Sequence, residues 1–190
     1  MALRLLSEST AEPLSLDEIK HYCRLSTSNT SEDTILLSMA KAARIEAETK
    51  CHRLFVAKQY KLTLDGFPYG GITLPEPPLS TVVGALKINY IDSSGVEATM
   101  ASSSIVIDYE SEPGMVFPST SEDWPITNDI VNAVYITYET TAAPTDDVKI
   151  WIGFRTASLY ESRQRFIEGK TIGEINMDGL LDSQRLPEVR

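Results

Sequence analysis

The stretch Tyr60-Lys61-Leu62-Thr63-Leu64-Asp65-Gly66-Phe67-Pro68 marks a change of period in the chain. Tyr60, Leu62 and Leu64 alternate with Lys61, Thr63 and Asp65, the two-residue repeat of a half-buried strand. Gly66 and Pro68 then break it. Upstream, the apolar residues recur at helical steps. Ser15 and Glu18 form a capping box ahead of Ile19, Tyr22 and Cys23, which predicts a helix over 16–25. Ile35, Leu36, Met39, Ala40, Ala43 and Ala47 then predict an amphipathic helix of about five turns, capped by Thr30 or Ser31 and ending near Lys50.

Downstream, the strand period continues. Ile72-Thr73-Leu74 resumes after Gly70 and Gly71, and Pro75-Glu76-Pro77-Pro78 reads as a loop or sheet-edge crossing. Strands are predicted over 82–91, 96–100, 105–109, 115–117 and 130–138, with turns at Asp92-Ser93-Ser94-Gly95 and Glu112-Pro113-Gly114. Helix returns after Pro144. Thr145 stands as its cap, with Asp146 and Asp147 in the first turn. A short last helix is expected between Met177 and Leu186, stopped by Pro187. The fold class is therefore α+β, with an N-terminal helix pair and C-terminal helices packed together and an acidic β-rich insertion between them. The expected parts are a helical 1–58, a β lobe at 59–140, and helices over 141–190 with a mobile tail from about residue 169.

Charge divides the chain in the same way. Of 190 residues, 27 are acidic and 17 basic, a net −10. Between residues 59 and 145, eleven acids face only Lys61 and Lys87, while the two flanks are nearly balanced. Such a lobe repels phosphates and acidic surfaces, and clustered cations of a nucleic-acid-gripping face are absent from it. No apolar run reaches the 18 residues of a membrane span. Residues 1–16 lack the pattern of a secretory signal, and two cysteines make no disulfide scaffold, which points to a reducing cytoplasm.

Catalytic and metal chemistry find little to build on. His21, Cys23, Cys51 and His52 are all the histidines and cysteines present. Ligands two apart or adjacent on a helix face different sides, so a zinc site is not expected. There is no G-x-S-x-G and no phosphate-binding glycine loop followed by Lys-Ser or Lys-Thr. No catalytic, metal or cofactor residue is assigned and no enzyme is expected. An enzyme reading would require a pocket with perturbed carboxylates in the acidic lobe. More distinctive are the aromatic–proline clusters Phe67-Pro68, Leu74-Pro75-Glu76-Pro77-Pro78-Leu79 and Trp124-Pro125, which either pin the β lobe or present flat apolar contact to a partner.

In this order, these segments resemble the head–tail connector, or adaptor, proteins of tailed bacteriophages. The residues that carry the likeness are Tyr60–Pro68, Ile72-Thr73-Leu74-Pro75, Pro78-Leu79, Ile88-Asn89-Tyr90-Ile91-Asp92 with Gly95, and Val106-Ile107-Asp108-Tyr109. Pro113-Gly114 and Trp124-Pro125 continue it. The flanking helices, with Glu46-Ala47-Glu48-Thr49-Lys50 and Leu180-Leu181-Asp182-Ser183-Gln184-Arg185, extend it over roughly residues 14–186. Gly173-Glu174-Ile175-Asn176 stands where the family has a small-residue turn.

The resemblance implies a structural virion protein of the neck, between capsid and tail, assembled in the bacterial host cytoplasm. Its partners would be the portal protein, neighbouring copies in a ring of about twelve joined head to tail, and the next neck or tail-completion protein. Double-stranded DNA would pass through the channel without specific binding, and no membrane is involved. Leu180, Leu181 and Arg185 are the portal-docking candidates. Arg155, Arg163, Arg165, Phe67 and Trp124 are the subunit-contact candidates. Another phage or prophage tail-completion or assembly factor is the alternative.

Overall fold

The computed structural model describes residues 1–82, 84–142, 144–163 (residue 163 by its backbone alone) and 177–187. Among the described residues are three α-helices, two 3-10 helices and two antiparallel sheets, and the chain falls into two compact units. Met1–Ser9 and Val56–Ala142 form a β unit; Thr10–Phe55 and Ala143–Arg190 form a helical unit.

In the helical unit, α1 spans Leu16–Tyr22, α2 Asp33–Cys51 and α3 Asp146–Arg163, followed by a 3-10 helix at Asp178–Gln184. The capping box forms: the Glu18 amide donates to Ser15 Oγ at 3.3 Å, and Glu18 Oε2 accepts from the Ser15 amide at 2.7 Å. The Ser15 hydroxyl and the Ser15 amide, both donating to Glu18 Oε2 at 2.7 Å, hold the Glu18 carboxyl below its usual range. α1 stops before Leu25 because Arg24 turns left-handed at φ 56°, letting the Leu25 amide reach back to the Lys20 carbonyl. The N-cap of α2 falls one residue past Ser31, at Glu32, which makes no side-chain cap bond.

The core of the helical unit joins Ile19, Leu36, Ala40, Ala43, Ala47, Cys51, Val148, Trp151, Ile152, Tyr160 and Leu181. The small alanines on α2 leave room for the bulky residues of α3. Gly153 lets α1 come close: a Cβ there would lie 2.4 Å from the Tyr22 ring. Arg44 is fully buried and held by Glu12 at 2.8 Å and Glu48 at 2.9 Å. Glu48 also accepts from the Phe55 amide at 2.9 Å.

The β unit holds a five-stranded sheet, ordered β1-β2-β8-β4-β5, and a three-stranded sheet, ordered β3-β7-β6. The strands are β1 Ala2–Glu8, β2 Lys58–Leu64, β3 Ile72–Thr73, β4 Leu86–Ile91, β5 Glu97–Thr99, β6 Ile105–Asp108, β7 Met115–Pro118 and β8 Val134–Glu139. The period that begins at Tyr60 is realised. Tyr60, Leu62, Ile136, Tyr138 and Ile88 are buried, and register places Tyr60 opposite Tyr138 and Leu62 opposite Ile136, which in turn faces Ile88.

Three expectations change. The N-terminus is not helical up to α1: Ala2–Glu8 pairs antiparallel with β2 and belongs to the β unit. A register shift between Leu5 and Ser7 breaks its alternation, which hides the strand in the sequence. β4 and β8 both begin four residues later than the apolar runs suggest. Left-handed Gly84 (φ 85°) and Asn132 (φ 62°) interrupt the extended backbone just before them. The last helix is a 3-10 segment.

Candidate functional site

Three loops meet at one end of the five-stranded sheet, where β2 ends, β4 ends and β8 begins. They are 65–71, 92–96 and 119–133. Phe67 and Trp124, far apart in sequence, stack face to face with ring centres 4.8 Å apart and 4° between planes. Tyr90 of β4 meets Phe67 edge-on at 5.7 Å. Trp124 Nε1 donates to the Gly70 carbonyl at 2.8 Å, which closes the stack over the first loop. Such aromatic pairs contribute about 0.5–1.5 kcal/mol beyond the area they bury.

Polar bonds tie the loops further. The Asn132 amide donates to Asp65 at 2.9 Å and the Asn128 amide to the Ile91 carbonyl at 3.0 Å, while Asp92 and Thr127 form a β-bridge. Asp92 Oδ1 accepts from the Ser94 and Val96 amides at 2.8 and 3.0 Å, which shapes the β4–β5 turn.

A shaped tip results, and its outer residues are apolar. Tyr69 is fully exposed, Ile126 is 82% exposed and Val131 76%, with Val96 and Ile130 beside them in the same loops. Asp65, Asp92, Glu122, Asp123 and Asp129 also lie on these loops, and no Lys, Arg or His does. Exposed apolar groups rimmed by charge are the composition of a protein contact. Phe67 and Trp124 are half-buried and form its floor; the outward residues are those that sequence reasoning did not single out. Their signal was present in the adjacent Pro68-Tyr69 and Pro125-Ile126 pairs.

The C-terminal candidates have a different setting. Leu181 has no exposed surface and lies in the helical core, and Leu180 packs partly against it. The Leu186 amide donates to the Cys51 carbonyl at 2.9 Å. Asp178 accepts from Lys50 at 2.7 Å and from Trp151 Nε1 at 3.3 Å. Arg185 pairs with Asp182 at 3.1 Å. Residues 177–187 are thus fastened to their own unit, and burial removes Leu181 from the surface that a portal could touch. Arg155 Nε donates to Glu46 of its own chain at 2.7 Å. The Arg163 side chain and Arg165 lie outside the described residues, as does the stretch 169–176 expected to open the tail.

Among the described residues, no three His, Cys, Asp or Glu side chains stand where they could hold a metal ion. Burial pushes the Cys23 and Cys51 thiols up, away from the reactive thiolate. The shifted carboxyls of the β unit move downward: the Tyr135 hydroxyl and Asn89 lower Glu97, and Ser111 lowers Asp108. These are structural carboxylates, the opposite of a raised general acid. A hollow of about 240 Å³ along β1 and β2, lined by Ser7, Glu8, Lys58 and Glu139, is smaller than the roughly 300–1,000 Å³ of small-molecule sites. No described helix is long and apolar enough to cross a membrane.

No family model matches the sequence, and no curated protein is significantly similar to it. The fold, however, has close counterparts among solved structures. A chain in the neck of an empty gene transfer agent particle, computed with C6 symmetry, superposes with a TM-score of 0.70 at 22% identity, over 100% of this chain and 98% of that one. A chain in the virion of the native particle gives a TM-score of 0.71 at 22% identity, with the same coverage. One in the native neck, computed with C12 symmetry, gives 0.66 at 20% identity over 98% and 97%. The chain has the fold of a gene transfer agent neck chain. That phage-like setting agrees with its resemblance to head–tail connectors.

Proposed function

We propose that this chain is a structural, non-enzymatic protein of a phage-like neck. It forms a ring beneath the portal, extends the DNA channel and receives the next neck or tail-completion protein. One observation carries the reading: the likeness to neck chains spans nearly the whole of both chains, including the helical unit and the β unit. Necks computed with C6 and C12 symmetry support a ring, with about twelve copies as the working number. The tied, apolar tip supports a protein partner. The net charge between residues 59 and 145 supports a channel component that DNA slides past, since strong phosphate contacts would hold it.

Light scattering of the full chain, alone and with purified portal from the same genome, tests this. A ring, or a large portal-dependent complex, is the expected result. A monomer of 21.0 kDa under both conditions would remove portal docking and turn the assignment toward another assembly factor of the particle.

A further inference from the structure

The outer, polar face of the five-stranded sheet carries a pattern that the fold does not need. Register places Arg4 of β1 directly opposite Lys61 of β2, Lys61 opposite Thr137 of β8, and Thr137 opposite Lys87 of β4. Three cations thus stand in one row across four strands, spanning about 14 Å at the usual strand spacing. Lys61 and Lys87 are the only basic residues between positions 59 and 145, and both lie in this row. Like charges directly opposite on a sheet destabilise it, so the Arg4–Lys61 pair is a local cost to the isolated chain.

None of the three forms an ion pair among the described residues. Arg4 and Lys87 are exposed, and Lys61 lies over the Tyr135 ring at 3.9 Å. Glu97, on the same face, is engaged by the Tyr135 hydroxyl and by Asn89. The apolar surface of this face is the Tyr135 ring under Lys61; Leu3 and Leu5 of β1 stand opposite Leu62 and Tyr60 and belong to the other face. The patch is therefore basic, with one aromatic ring at its centre, within an acidic unit.

We propose that this face seats the loop tip of a second copy of the chain. The tip offers what the patch lacks: five acids, no base, and the exposed Tyr69, Ile126 and Val131. Charge and apolar surface are complementary at once. Duplex DNA would match the cations only, and the acidic surroundings repel it. The two patches are unlike and lie on the same unit, so each copy uses one as donor and the other as acceptor. That is a heterologous contact, the kind that closes rings. The proposal rests on the ring reading above and names its interface.

Zero-length carbodiimide cross-linking of a mixture of ordinary and 15N-labelled full chain, alone and on purified portal, reads the contact directly. Links from Lys61 or Lys87 to Glu122, Asp123 or Asp129 between differently labelled copies are expected. An assembly whose intermolecular links all fall elsewhere overturns this interface and leaves the ring standing. A chain that stays monomeric in both conditions overturns the ring reading and this interface with it.

A charge swap sharpens the result. Arg4→Glu with Lys87→Glu, and separately Asp123→Lys with Asp129→Lys, should each lower the assembled fraction about tenfold, with the melting midpoint not lowered. Mixing the two variants should restore mixed assemblies. Failure of the mixture, or duplex-DNA retention by wild type that Arg4→Glu with Lys87→Glu abolishes, would overturn the assignment; the second outcome would give the row to phosphate.

Discussion

The two units treat charge in opposite ways. In the helical unit, cations find acids within the unit: Arg44 with Glu12 and Glu48, Lys20 with Asp33, Lys50 with Asp178, Arg155 with Glu46, and Arg185 with Asp182. In the β unit, Lys58 meets Glu8, but among the described residues Arg4, Lys61 and Lys87 form no ion pair, and neither do the acids of the tip. Charge in the first unit holds the chain to itself. In the second it remains available for another molecule. Substitutions should therefore act on stability in the helical unit and on assembly in the β unit.

The strongest test of that contrast is Arg44→Ala. It leaves Glu12 and Glu48 facing each other in a buried site, and loss of one partner from such a cluster costs about 3–5 kcal/mol. Denaturant unfolding of the full chain should show that loss. A shift under about 1 kcal/mol would mean that the cluster is not an organising element of the core. Gly153→Ala comes next. At an ordinary helix position it would stabilise by about 1 kcal/mol. Here the new Cβ meets the Tyr22 ring at 2.4 Å, so a loss of about 1–3 kcal/mol is expected. In a Tyr22→Ala background the same change should become neutral or favourable. A double-mutant cycle without that reversal would break the packing argument.

On the β side, Trp124→Ala removes the stack on Phe67 and the bond to Gly70. Half-buried, it should cost about 2 kcal/mol, less than a core tryptophan. Its larger consequence should be on assembly, because the loops that carry Tyr69 and Ile126 lose their common floor. Trp124→Phe keeps a stacking ring and should keep most of the assembly by light scattering. Equal damage from both variants would point instead to the Nε1 bond.

Much of the fold was legible because local chemistry and final structure agree. The capping box at Ser15 and Glu18 opens α1, and the alternation from Tyr60 to Asp65 produces a strand buried on one face. What stayed hidden depended on partners remote in sequence. β1 is an edge strand with an irregular register, so its Leu3, Leu5 and Leu6 do not alternate. Arg24 and Asn132 take left-handed backbone that nothing in their neighbours announces, and each moves an element boundary. Phe67 and Trp124 could be named separately as contact candidates, but only folding stacks them. The cation row is the extreme case: positions 4, 61 and 87 become neighbours through register alone. The clue within the sequence was that the only two lysines of the acidic stretch both fall on the outward phase of their strands.

The smallest expected effect is acid-dependent and belongs to the helical unit. Lys50 holds the Asp178 carboxyl below its ordinary value of 3.8, with Trp151 and Arg185 adding to it. A carboxyl whose folded value is depressed binds its proton more readily in the unfolded chain. Its contribution is complete above the unfolded value and is lost as pH falls through the folded one. Wild type should therefore lose melting temperature below about pH 4 more steeply than Asp178→Asn, which has no such proton to take up. At neutral pH, Asp178→Asn should be less stable only slightly, since the pair is open to solvent and screened. If wild type and Asp178→Asn lost melting temperature in parallel below about pH 4, Lys50 would not be holding that carboxyl down, and the contrast between internally paired and outwardly presented charge would fail at its most exposed point.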